Sequence, residues 1–195
     1  MSDEDRKVGI RDFKNQEVKR VNKAEILAAG LEKGQLVASK SQTILINHLS
    51  QAVNESGTEE ALSFCNINAY PLIDSISSSF GVTIRRVSTR YRNNKDAPDS
   101  VEALLLDAYA YNVENGYPLK DNIQQYDAEN LIYTMPISAG SSMCLKCHGK
   151  EVDGSVRERI AQLYPDDKAL NHELNDLRGM WSVKIPVKDI VNGLE

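Results

Sequence analysis

From about Lys14 to Glu55 the chain has no proline, and Ile26, Leu27, Leu31, Leu36, Val37, Ile44, Leu45 and Leu49 recur at near-helical spacing. One long helix or two consecutive helices are expected, with Gly30 and Gly34 marking the kink or break. After the breaker cluster Asn54–Thr58, the residues Leu62, Cys65, Ala69, Leu72 and Ile76 are spaced by 3, 4, 3 and 4. That spacing puts them on one face of a second helix, N-capped by Thr58 and kinked at Pro71. Gly81 ends it, and the texture turns β-branched over Val82–Tyr91, a predicted strand. Asp99 or Ser100 caps a third helix through Tyr109. Asn130–Ser138 and Met180–Val187 read as strands, each with a proline near its end (Pro136, Pro186), as sheet edges tolerate. A loop-rich insertion separates them, with a short helix near Ser155–Tyr164. Helices first and strands later argue for an α+β fold with a small antiparallel sheet. A single domain over 1–195 is expected, with a helical region at 14–80 and a sheet region at 81–190.

The 195 residues suit one such unit. Lys plus Arg is 23 against 28 for Asp plus Glu, a net charge of -5 that disfavours a generally basic nucleic-acid binder. No run approaches the roughly 18 apolar residues of a membrane span, so the chain is expected to be soluble. The opening MSDEDRKVGIRD is too charged for the apolar core of a secretory signal. Export would therefore imply a signal already removed.

The chemistry concentrates in Met143-Cys144-Leu145-Lys146-Cys147-His148-Gly149. Cys-x-x-Cys-His is the pattern of covalent c-type haem attachment. Two thiols three positions apart reach two vinyl groups, and the next residue directs an imidazole nitrogen at the iron. A zinc site would use the same atoms but wants a fourth ligand, and the sequence has no second closely spaced pair. A dithiol redox pair belongs at a helix N-terminus beside a βαβ unit, whereas this dipeptide is expected in a loop.

Cys65 is then the odd thiol. Its apolar helix face suits a small core residue, and it equally suits a haem pocket in which sulfur is a sixth ligand. His48, at the edge of the first helical stripe, competes for that position. His172, followed by Glu173-Leu174-Asn175-Asp176, reads as a solvated loop residue, and Met135 and Met180 as strand core. Arg85, Arg86, Arg90, Arg92 and Lys95 form a basic run with no acid between Gly81 and Asp96. It is either a solvated edge or a partner for haem propionates. On a strand Arg86 and Arg90 share a face, which makes them the better propionate pair.

Several spaced segments resemble one family, in order from about Ala24 to Val187. They are Cys65 in a helix, Gly81-Val82-Thr83-Ile84-Arg85-Arg86-Val87-Ser88, Arg92-Asn93 with Ala97-Pro98-Asp99, the cysteine motif with Lys150, Leu163-Tyr164-Pro165-Asp166-Asp167, and Asp176-Leu177-Arg178-Gly179-Met180-Trp181-Ser182-Val183. Together they resemble the Tll-type, PAS-like mono-haem c domain family. The resemblance implies a long N-terminal helical region on a PAS-like antiparallel sheet. It also implies one haem c attached through Cys144 and Cys147, with His148 and Cys65 as axial ligands. Members serve as extracytoplasmic sensor parts of histidine kinases or chemoreceptors, or as small soluble cytochromes. The chain departs from the pattern at Asn94, where proline is usual, and at Asp96, where asparagine is usual.

The expectation is a non-enzymatic, periplasmic or otherwise extracytoplasmic haem protein. It would sense redox state or NO or CO, or pass one electron to a partner protein, and would pair as a homodimer through its N-terminal helices. Loss of Cys65 from ferrous iron would be the signal. The alternatives are a haem enzyme of peroxidase or nitrite reductase type, with His48 as distal proton donor, and a zinc-stapled interaction domain.

Overall fold

The computed structural model describes residues 21–194, so the part of the predicted first helix before residue 21 lies outside the described residues. Helix α1, Lys23–Ile67, starts at a capping box: the Asn22 side chain accepts from the Glu25 N–H and Glu25 accepts from the Asn22 N–H, both at 3.0 Å. It passes through Gly30 and Gly34 without a break. Both glycines face the sheet: a Cβ at Gly30 would stand 2.6 Å from Leu131 Cδ1, and one at Gly34 would clash with the Tyr133 ring. They are docking points where the helix backbone meets the strands. The one non-helical residue inside α1 is Gly57, at φ 84° and ψ 171°. That backbone region is essentially closed to other residues.

The chain turns at Asn68 into α2, Ala69–Phe80. The predicted kink at Pro71 is thus a break three residues earlier, and the proline stands in the first turn of a new helix, where its missing N–H removes no bond. Gly81, at φ 61° and ψ 40°, closes α2 with a left-handed cap.

Four strands follow: β1 Thr83–Val87, β2 Asn122–Gln125, β3 Asn130–Ser138 and β4 Leu177–Pro186. They form one antiparallel sheet in the order β1-β4-β3-β2. The two proline-bearing strands are therefore the inner pair, contrary to the expected edge placement. Proline is tolerated because β2 pairs only with Leu131–Thr134, leaving β3 without a β2 partner at Pro136, and because Pro186 is the last residue of β4.

Between β1 and β2 runs α3, Ser100–Glu114, capped by Asp99 in a second capping box with Glu102. Besides a single 3-10 turn at Asn94–Asp96, two further helices not expected as such are present. One is α4, Ser142–His148, which holds the cysteine motif. The other is α6, Val187–Leu194, which follows α5, Gly154–Leu163.

Side chains alternate across the sheet as the pleat requires. Ile84, Tyr133, Trp181, Val183 and Ile185 pack against Val37, Ala38, Ile73 and Ile190 of α1, α2 and α6. On the opposite face Val87 and Met180 meet Leu106 and Tyr109 of α3, whose hydroxyl reaches Thr134 Oγ1 at 2.8 Å. A third, smaller cluster joins Leu62, beyond Gly57, to Val152, Val156 and Ile160. The α4–α5 region leaves β3 and returns to β4 at one point, where the Ala139 N–H bonds Asp176 O (2.9 Å) and the Asn175 N–H bonds Ala139 O (3.0 Å). No described helix is long and apolar enough to cross a membrane.

Candidate cofactor-binding site

Strand β1 ends, β3 ends and β4 begins at the same edge of the sheet, so their terminal residues converge. Between that edge, the later part of α1 and α4 lies a cavity of about 360 Å³, within the usual size of small-molecule sites. Cys65, Cys144, Cys147 and His148 all line it. The cysteine motif is helical where a loop was expected. One short helix puts residues three and four positions apart on one side, so the two thiols and the imidazole face the cavity together.

The His148 ring is held by one hydrogen bond, Nδ1 to Ala169 O at 2.9 Å. A carbonyl only accepts, so Nδ1 carries the proton and Nε2 the lone pair. Burial, with Arg178 and Arg92 nearby, holds the imidazole pKa well below its usual value and keeps it neutral. Burial also pushes the Cys65 thiol up, against the pull of Arg86 and Arg92. Cys147 is raised by burial in the same way, opposed by Arg92.

Arginine placement only partly follows the sequence pattern. The Arg86 guanidinium lines the cavity and makes no hydrogen bond or ion pair among the described residues. Arg90 does not join it. Strand β1 stops at Val87, the alternation lapses, and Arg90 turns to Leu170 O and to His172 Nδ1 at 3.4 Å. Arg92 and Arg178, not singled out from the sequence as site residues, take its place on the cavity wall. Arg92 donates to Asp167 Oδ1 (3.1 Å) and Cys147 O (2.6 Å). Arg178 is skipped in the β3–β4 register, where Ile137 opposes Gly179 and Ser138 opposes Leu177. Such a bulge re-aims a side chain, and here the guanidinium reaches Arg90 O (2.8 Å) while its buried Nε has no partner. Gly179, at φ 153°, permits the bend, since a Cβ there would run into Val87 O.

Two histidine expectations are corrected. His48 is exposed, stacks on Phe64 at 6.0 Å between ring centroids and does not line the cavity. Its helix continues in register, and that face points away. His172, expected in solvent, is 1% exposed. Its backbone N–H bonds His148 O at 2.9 Å, which draws it under the motif. Met180 is fully buried against α3, and Met135 packs against the cluster on the opposite face of the sheet, both at strand positions as expected.

The rest of the lining is largely apolar, with Leu45, Leu49, Val53, Leu62 and Ile137, closed by Tyr70, Tyr164 and Trp181. Among the described residues no three His, Cys, Asp or Glu side chains gather to hold a metal ion by themselves. Cys144, Cys147, His148 and Cys65 thus do not form the compact four-ligand cluster of a zinc staple. They surround a space instead. Two thiols on one helix, an imidazole with a free lone pair, a thiol from another helix and an unpaired guanidinium fit the donor set of a covalently held porphyrin with acidic side chains.

An α+β fold whose sheet edge and long helix enclose a cysteine- and histidine-lined cavity defines the class of the protein. The Tll0287-like family model matches residues 14–186, and the chain belongs to that family. The crystal structure of the cyanobacterial haem protein Tll0287 superposes on it with a TM-score of 0.50 at 29% identity, covering 74% of this chain and 91% of that one. A comparison with curated proteins finds no match.

Proposed function

We propose that this chain holds one haem c and works as a redox or small-ligand sensor or a one-electron carrier outside the cytoplasm, without catalytic turnover. The observation that carries the reading is the convergence of Cys65, Cys144, Cys147 and His148 on one cavity. The relative Tll0287, a haem protein, supports it. When bound, the haem supplies a one-electron couple and an iron that takes NO or CO once a ligand leaves.

The chain's own residues do the rest. Cys144 and Cys147 would hold the haem as thioethers, each S–H adding across one vinyl C=C bond of the porphyrin. No oxidant and no leaving group are needed. His148 offers Nε2 because Nδ1–H is committed to Ala169 O. Cys65 would offer its sulfur to the iron from the opposite wall of the cavity, in a buried setting that raises its thiol pKa. Arg86 pairs with a propionate. The haem-enzyme alternative assigned the distal proton to His48, which lies outside the cavity.

The test is the absorption spectrum of natively exported protein, followed by acid-acetone extraction. Colour that stays with the polypeptide supports thioether attachment, and colour that leaves with the solvent refutes it. Cys65→Ala is expected to open the iron to added imidazole. An unchanged low-spin spectrum in that variant would remove Cys65 from the ligand set.

A further inference from the structure

We infer that Asp167 and Arg92 are positioning residues that fix the ring orientation and tautomer of His148, acting through the Ala169 carbonyl. The consequence for iron rests on the haem reading above, whereas the consequence for the imidazole does not.

Ala169 lies between α5 and β4 in no helix or strand, and while the Gly149–His172 bridge ties the residues just after it to the motif, Ala169 itself has to be held from its other side. Asp167 provides that hold. Its Oδ1 accepts from the Ala169 N–H at 3.0 Å and from Arg92 Nε at 3.1 Å. The same guanidinium donates at 2.6 Å to the carbonyl of Cys147, the residue before His148. The backbone that carries the imidazole and the backbone that carries its acceptor are thereby clamped by one ion pair. Neighbouring contacts reinforce the acceptor side: the Lys168 N–H bonds Tyr91 O at 2.9 Å, and Arg90 donates to Leu170 O.

The pair is expensive for a merely structural tie. Its side chains are 10% and 6% exposed, and Asp167 Oδ2 is buried with no partner. Desolvating both charges while leaving one oxygen unmet is poor stabilisation. The arrangement gains its value from what it orients. A free neutral histidine side chain prefers its proton on Nε2, and an iron ligand must present that nitrogen bare. The bond at Nδ1 decides between the two.

The experiment compares the full-length chain with Asp167→Ala and Asp167→Asn by NMR of the histidine ring nitrogens, on protein prepared without haem. Wild type is expected to show His148 in the Nδ1–H form. Asp167→Ala is expected to lose that single signature and show a mixture with Nε2–H, and Asp167→Asn, which keeps an acceptor oxygen, a smaller change. Should Asp167→Ala not fold, Asp167→Asn decides alone. Wild-type tautomer in every folded variant overturns the inference.

In haem-loaded, exported protein the midpoint potential is expected to rise in the same order, because a weaker Nδ1–H bond makes imidazole a poorer donor to ferric iron. Asp99→Ala, which loosens the fold through the distant cap of α3, is expected to leave the potential unchanged. An equal rise there would reduce the effect to general destabilisation and overturn the inference. Wild type that binds no haem would sink the preceding section's reading while the tautomer result stands.

Discussion

The first and last stretches of α1 are built for opposite ends, and the cavity opens well before Gly57, with Leu45, Leu49 and Val53 already on its wall. Upstream, Gly30, Gly34, Val37 and Ala38 bring the helix backbone hard against Leu131 and Tyr133, and nothing but side-chain carbon fills the gap. Downstream, Leu62 packs on Val152, Val156 and Ile160, Arg159 bonds Ser63 Oγ at 2.9 Å, and Cys65 looks into open space. Small residues close one interface, and larger apolar side chains from Leu45 to Leu62 line the space at the other. The comparison teaches that the cavity is made by where the helix is allowed to leave the sheet.

The largest effect expected from disturbing this contrast is at the closed end. Tyr133→Ala should cost about 4 kcal/mol in denaturant unfolding, as large aromatic deletions do, whereas Leu49→Ala on the cavity wall should cost about 1 kcal/mol or less in haem-free protein, because no packed partner is lost across the gap. Equal losses would mean that the cavity is not a real discontinuity in packing. Next comes Gly57→Ala, expected to cost about 2 kcal/mol from backbone strain alone, since no atom lies within 4 Å of the added Cβ.

Asp99→Ala removes the α3 cap and should cost about 1 kcal/mol. Burial raises the Asp99 pKa, but the Glu102 N–H, Lys184 and Tyr126 outweigh it and hold the carboxyl at about 2 instead of 3.8. A depressed folded-state pKa contributes stability above the unfolded value, which is lost as pH falls from about 4 to about 2. Acid titration of unfolding should show that slope in wild type and a shallower one in Asp99→Ala. The smallest effect is Arg86→Met, expected to stay within about 0.5 kcal/mol of wild type without haem, as an unpaired half-buried side chain should. A large loss there would reveal a structural partner for Arg86 and weaken its assignment to a propionate.

Much of this was legible in the sequence, and the misses share a cause. Strand β3 and the cap at Asp99 follow from β-branched composition and local hydrogen bonding, which need no tertiary information. So does α5, one residue from its expected start. The glycines of α1 misled because a lone interior glycine costs a helix only about 1 kcal/mol, and whether it breaks the helix or admits a strand depends on what lies across from it. Strand β2, Asn-Ile-Gln-Gln, carries too little apolar alternation to announce itself. Cys65, Cys144, Cys147, His148 and Arg86, all of which line the cavity, stand out in the sequence by motif, resemblance and strand alternation. Arg90 failed because alternation was extended four residues past an actual strand of five. Arg178 lies in one of the segments that carry the family resemblance, yet its placement depends on a bulge, and that of His172 on a backbone bond to His148. Neither leaves a periodic trace.

The paired bonds joining Ala139 to Asp176 and Asn175 have a consequence for how such a protein can diversify. Everything that carries thiol and imidazole chemistry, except Cys65, emerges and re-enters through a neck one residue wide, so topologically it is the tip of a β-hairpin. Lengthening a closed loop adds little entropic penalty. A graft of different length or chemistry at this neck would leave the strand register alone, and the architecture could trade its reactive insert while keeping its scaffold.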